Sequence, residues 1–188
     1  MKKHKMGFTI VELLVVIVVI AILAVITIVS YNGIQDRAIN SSTMSAVLNI
    51  EKLIELYIVN NDAYPLTSGG SIGSCSTANT ASCSVAGSSK GTNNTYITNM
   101  TTVGTLPAEP ARFDSSNYGI FYQYNAIRTV DGIVKPTVLV WYLKGTNVSC
   151  GRTVLNGSTL NNNYTTASNP YSASSGGTTT CIESINGP

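Results

Sequence analysis

Gly7-Phe8-Thr9-Ile10-Val11-Glu12-Leu13-Leu14-Val15-Val16-Ile17-Val18-Val19-Ile20 opens an apolar run that continues to Val29. Ahead of it stands a short basic stretch, Met1-Lys2-Lys3-His4-Lys5-Met6. Phe8 to Val29 is 22 residues. As a helix that is about 33 Å, enough to cross the hydrocarbon core of a bilayer. Its β-branched residues are acceptable because lipid makes the backbone satisfy itself within the helix. One residue breaks the pattern. Glu12 puts a carboxylate into a hydrocarbon-like segment. A charge at the centre of a membrane helix costs about 2.5–3.5 kcal/mol on insertion scales, so it marks function and implies a partner. Glu12 lies one helical turn from Phe8. Cutting the chain after Gly7 would turn the Phe8 nitrogen into an amine, a cation suited to that carboxylate.

Gly7-Phe8-Thr9-Ile10-Val11-Glu12-Leu13-Leu14 resembles the type IV pilin and pseudopilin signal, the class III signal peptide of prepilins. In that family a membrane aspartic peptidase cuts after the glycine and N-methylates the phenylalanine. The resemblance implies cleavage between Gly7 and Phe8 and methylation of Phe8. It implies filament assembly through Phe8 and Glu12, the carboxylate pairing with the N-terminal amine of a neighbouring subunit. The implied partners are the prepilin peptidase, a pilus assembly platform with its ATPase, membrane lipid before assembly, and further copies of the chain in a homopolymer. The implied location is the bacterial cytoplasmic membrane, as a single-pass precursor with its N-terminus inside, and then an extracellular pilus. The likeness is strong from Lys2 to Arg37 and returns at Tyr57 to Pro65. One departure stands out: Val29 occupies the position where many type IV pilins carry a proline. Two plainer readings compete. An ordinary secretory signal could end at Ala21-Ile22-Leu23-Ala24, but Glu12 would spoil its apolar core. The other is a simple uncleaved anchor.

Beyond the apolar run the pattern becomes amphipathic. Val47, Ile50, Ile54, Tyr57 and Ile58 follow helical spacing, with Leu53 and Leu56 widening the stripe. No proline intervenes before Pro65. A single helix from Phe8 to Asn60 would be roughly 80 Å long, too long for one small domain to bury. Its first half must lie in lipid or against copies of itself. Asn60 or Asn61 is the expected left-handed cap, and Pro65 prevents resumption. The expected fold class is α+β: a long N-terminal α-helix, membrane-spanning in its first half, packed on a small antiparallel β-sheet. The expected divisions are a leader over 1–7, a transmembrane and polymerisation helix over 8–29, an amphipathic continuation over 30–62, and a globular head over 63–188. The head would carry an αβ-loop and a disulfide-closed C-terminal region.

Seventeen of the 39 residues from Thr67 to Thr105 are Ser or Thr, too polar to supply much core. This stretch reads as a long loop with one short strand near Tyr96. Asn117 to Ala126 alternates as a strand should. Thr137 to Leu143 is nearly all apolar, which suggests burial on both faces. Asp131-Gly132 between them is a turn signal. Further strands are expected near Arg152 to Leu155 and Cys181 to Ile185. Four cysteines, Cys75, Cys83, Cys150 and Cys181, allow three pairings. Order along the chain favours Cys75–Cys83 and Cys150–Cys181. A zinc site lacks Cys-x-x-Cys spacing and suits an exported domain poorly.

Nothing points to catalysis. The lone histidine, His4, lies in the leader, so a mature chain would lack Ser-His-Asp or Cys-His machinery. Ser88-Ser89-Lys90 is an adjacency of chance level. Asp114 and Asn117 could join a calcium site but are more simply turn formers. No cofactor or metal is expected. Of eleven Lys and Arg, three are leader lysines, leaving eight against nine Asp and Glu. No basic stripe for nucleic acid remains. Asn-x-Ser/Thr triplets begin at Asn40, Asn93, Asn99, Asn147, Asn156 and Asn163. In a chain this rich in Asn, Ser and Thr, chance explains them. Three functions stay open: a structural subunit of a type IV pilus serving adhesion, twitching motility or DNA uptake; a pseudopilin of a secretion or competence machine; and a non-assembling anchored surface protein.

Overall fold

The computed structural model describes residues 7–66, 73–77, 83–85, 88–124, 129–130, 133–134, 137–151, 155–156, 166–167, 177–185 and 187–188. Along these run helix α1 (Ile10–Asn61), strands β1 (Gly73–Cys75), β2 (Cys83–Val85) and β3 (Ser88–Lys90), and helix α2 (Asn94–Thr101). Then follow β4 (Ile120–Tyr124), β5 (Thr129–Val130), β6 (Ile133–Val134), β7 (Thr137–Lys144), β8 (Leu155–Asn156), β9 (Thr166–Ala167) and β10 (Thr178–Ser184). The class is α+β. Two compact units divide at Ala38 and Ile39.

The first unit is the apolar part of α1. Its residues Ile10–Thr27 have a mean hydropathy of 3.2, and by length and composition this segment could cross a membrane. Its Val, Ile and Leu side chains are exposed.

In the second unit a four-stranded antiparallel sheet, in the order β1-β4-β7-β10, packs against the rest of α1. Ala46, Ile50, Ile54 and Ile58 repeat every four residues and with Val47 form the buried helix face. It meets Ile120, Tyr122, Leu139, Trp141 and Leu143. Tyr57 is half-buried, whereas Leu56 is 44 % exposed and is not part of the stripe. Two residues on from Ile54, it points to the far side of the helix. The other sheet face has its own cluster: Phe121, Val138, Val140, Tyr142 and Ile182 lie under Cys75 and Cys83, with Phe113 against them. Strand β7 is therefore buried on both faces from Thr137 to Leu143, which is why its sequence shows no polar alternation.

Several local expectations need correcting. Tyr96 lies in α2, not in a strand. The Asn93 carboxamide oxygen accepts from the Thr95 and Tyr96 N–H groups at 2.9 and 3.3 Å, starting the helix. Tyr96 and Met100, one turn apart, are fully buried. Asn93→Ala should cost about 1 kcal/mol, the usual value of an N-cap, read as a lower urea midpoint at unchanged slope. The left-handed residue after α1 is Asp62 (φ 50°) rather than Asn60 or Asn61; its N–H donates to the Ile58 carbonyl at 2.8 Å. Of the strand expected near Arg152 to Leu155, residues 152–154 lie outside those described; among the described residues, Leu155–Asn156 pairs with Thr166–Ala167. Strand β1, in a stretch read as loop, takes a place at the edge of the four-stranded sheet. The Asp131-Gly132 turn also lies outside the described residues, between paired β5 and β6. Strand β4 starts at Ile120, three residues later than Asn117. Gly119 ahead of it has φ +81°, and a Cβ there would stand 2.7 Å from Cys83 Cβ. Only glycine fits that turn.

Candidate functional site

The site begins at the first residues of α1. Helix N-termini leave unpaired N–H groups, a heavier cost in lipid than in water. Here Thr9 is the cap and Glu12 the third helical residue. The Glu12 N–H donates to Thr9 Oγ1 at 3.2 Å. In return the Thr9 N–H and hydroxyl both donate to Glu12 Oε2, at 2.9 and 2.7 Å. This is a reciprocal capping box, Thr-x-x-Glu. Thr9 and Glu12, two of the residues that carry the family likeness, thus also start the helix. That role of Thr9 was missed in the sequence, although the spacing Thr9-x-x-Glu12 is its signal. Both bonds to the carboxylate fall on Oε2. Phe8 beside it is 72 % exposed, and Gly7 has open space around its Cα. Gly7, Phe8 and Glu12 therefore lie together on an accessible helix tip.

The remaining residues of interest are in the head. Cys75 is bonded to Cys83 and Cys150 to Cys181, with Cα–Cα distances of 5.6 and 5.9 Å. Cys150 and Cys181 sit in the core facing α1, and Cys75 and Cys83 in the cluster on the other face. Each sheet face thus has one cross-link. Asp114 is committed within the chain: Oδ1 accepts from the Ser116 N–H at 2.9 Å, and Oδ2 from the Thr178 hydroxyl at 3.1 Å and the Asn117 amide at 3.4 Å. The Ser116 N–H holds its carboxyl below the usual range, with Thr178 and Asn117 adding to the effect against partial burial. Asn117 donates here, and its bond to Asp114 closes a turn. Among the described residues no three His, Cys, Asp or Glu cluster as metal ligands would. Ser88, Ser89 and Lys90 form strand β3. An open groove of about 490 Å³ is lined by Arg112, Phe113, Asp114, Ser115 and Tyr118. Arg112 lies over the Tyr118 ring at 4.1 Å and pairs with Glu109 at 3.1 Å.

Residues 2–28 match the family described as the prokaryotic N-terminal methylation motif. That motif is the signature of type IV pilins and pseudopilins, a structural rather than an enzymatic class. With the apolar segment Ile10–Thr27, it suits a membrane-anchored precursor. Searches of curated proteins and of solved structures find no match.

Proposed function

We propose that this chain is the precursor of a type IV pilus subunit, cut between Gly7 and Phe8, methylated on Phe8, and polymerised through its apolar helix. The observation that carries the reading is the helix tip. An exposed apolar segment bears one carboxylate, and that carboxylate is held by Thr9 three residues away. A segment of this kind needs lipid or copies of itself to cover it. Glu12 then meets the Phe8 amine of an adjacent subunit, giving the assembly its axial register. The divisions that follow are a leader over 1–7, a transmembrane and polymerisation helix over 8–29, its continuation over 30–62, and a head over 63–188. The peptidase, assembly platform and ATPase are the partners, and the mature chain ends in an extracellular pilus.

A pseudopilin is the second reading. Its support is the helix ending, Tyr57 to Tyr64-Pro65, where Tyr64 packs on Tyr124 with ring centroids 5.8 Å apart. The Cys150–Cys181 cross-link favours the pilus reading instead.

N-terminal mass analysis of sheared surface filaments tests the proposal. The expected first residue is N-methylated Phe8. An intact Met1, or a start beyond Ala24, would sink it. Gly7→Leu should leave the uncut precursor in the membrane, because the missing side chain at Gly7 lets the peptidase reach the backbone. Absence of surface filaments, with the processed chain still required for secretion or DNA uptake, would select the pseudopilin.

A further inference from the structure

Asn40 lies near the start of the head portion of α1, three residues before Thr43, which is buried. Its side-chain amide makes two hydrogen bonds to a single residue of the sheet. Asn40 Nδ2 donates to the Lys144 carbonyl at 2.9 Å, and the Lys144 N–H donates to Asn40 Oδ1 at 2.7 Å. This exchange of both bonds with one residue is the pattern of an antiparallel strand pair.

The sheet explains why an asparagine is wanted there. Strand β4 pairs with β7 only as far as Ile120 opposite Trp141. On the other side β10 continues to Thr178 opposite Lys144. The last residues of β7 therefore extend past β4, and the Asn40 amide stands in for the strand that β4 does not provide. Asp could accept from Lys144 but not donate. Gln would carry the same amide on a stem one methylene too long.

We propose that Asn40 is a clasp that fastens the first head-facing turn of α1 to the end of β7 and opens independently of the core. Around it the attachment is thin. Ser41, Ser42 and Ser45 are exposed and Met44 is only half-buried. Continuous apolar burial begins at Ala46 and Val47. Segments held by a few hydrogen bonds open at lower free energy than the apolar core they flank. The clasp thus sets how far along α1 the helix is held to the sheet. Pulling on the helix would free this turn before the head loses its packing. The same bonds engage both polar atoms of Asn40. The proposal does not depend on the filament reading.

Hydrogen exchange on the full chain in detergent micelles tests it, because the Lys144 amide has Asn40 Oδ1 as its acceptor. In Asn40→Ala, exchange at Lys144 and at Thr43 to Ser45 should rise at least tenfold. Trp141 and Ile182 should stay within twofold of wild type. Asn40→Asp retains the acceptor and loses the donor, so Lys144 should exchange at an intermediate rate. An unchanged Lys144 rate in Asn40→Ala would refute the clasp. An equal rise at Lys144, Trp141 and Ile182, or loss of folding in both variants, would refute it too, by making Asn40 part of the global core.

Discussion

Glu12→Val is expected to abolish or sharply reduce filaments while leaving membrane insertion and cleavage largely intact, so that the chain accumulates as a processed membrane monomer. An unpaired carboxylate in hydrocarbon is costly and so is an unpaired ammonium; bringing them together relieves both. Apolar helices alone associate with little axial register, because lipid is as apolar as leucine. One ion pair supplies that register. The capping box adds a control. Valine removes both the charge and the Thr9 bonds, so it confounds two roles. A glutamine at the third helical position preserves a capping box. Glu12→Gln should therefore keep the helix start yet assemble poorly, because it lacks the charge. The measurement is filament yield by shearing, in cells with no other copy of the subunit. Equal yield from wild type and Glu12→Val would refute the ion-pair mechanism, and absence of filaments from the wild type itself would favour a non-assembling anchored protein. Wild-type yield from Glu12→Gln alone would assign Glu12 to capping.

The second large effect is expected from replacing Cys150 and Cys181 together with serine. Their sequence separation is 31, against 8 for Cys75 and Cys83. In the chain-entropy account the longer loop is worth about 3.5–4 kcal/mol and the shorter about 2.5. Location adds to the difference. Cys181 pairs opposite Trp141 in the centre of the sheet and is fully buried, and Cys150 fastens the chain beyond β7 to it. A domain with only about 5–15 kcal/mol of stability has little reserve against that loss. The double variant should be protease-sensitive at 37 °C and unfold at a much lower urea concentration. Cys75→Ser with Cys83→Ser should remain folded but loosen the cover over Phe121, Val140 and Tyr142. Dye binding to exposed apolar surface would detect that change. Equal urea midpoints for the two double variants would overturn the ranking.

How much of this was legible in the chain depends on the range of the interaction. The apolar run from Phe8, the basic leader and Glu12 are local facts, and they point to a membrane-sized helix with a functional charge. The row Val47, Ile50, Ile54, Ile58 is equally local, since a helix repeats every 3.6 residues whatever it packs against. The doubly buried β7 showed as an apolar run for the same reason. Tyr96 was misread because the surrounding Ser and Thr hid a short helix. Its signals, the Asn93 cap and the Tyr96–Met100 spacing, were present but brief.

By itself the sequence determined the helix, its apolar and amphipathic segments, the two central strands and the lone charge at Glu12, because each rests on residues within a few positions of one another. Only the tertiary structure decided the rest. The sheet order β1-β4-β7-β10 is one such result, because strand partners are chosen by packing over separations that no local pattern records. The placement of one cross-link on each sheet face is another. The clearest case is Asn40 and Lys144, which are 104 residues apart. Nothing near either residue predicts their pairing. It exists because β4 stops short of the end of β7, and the backbone left there needs a hydrogen-bonding partner that the passing helix can supply.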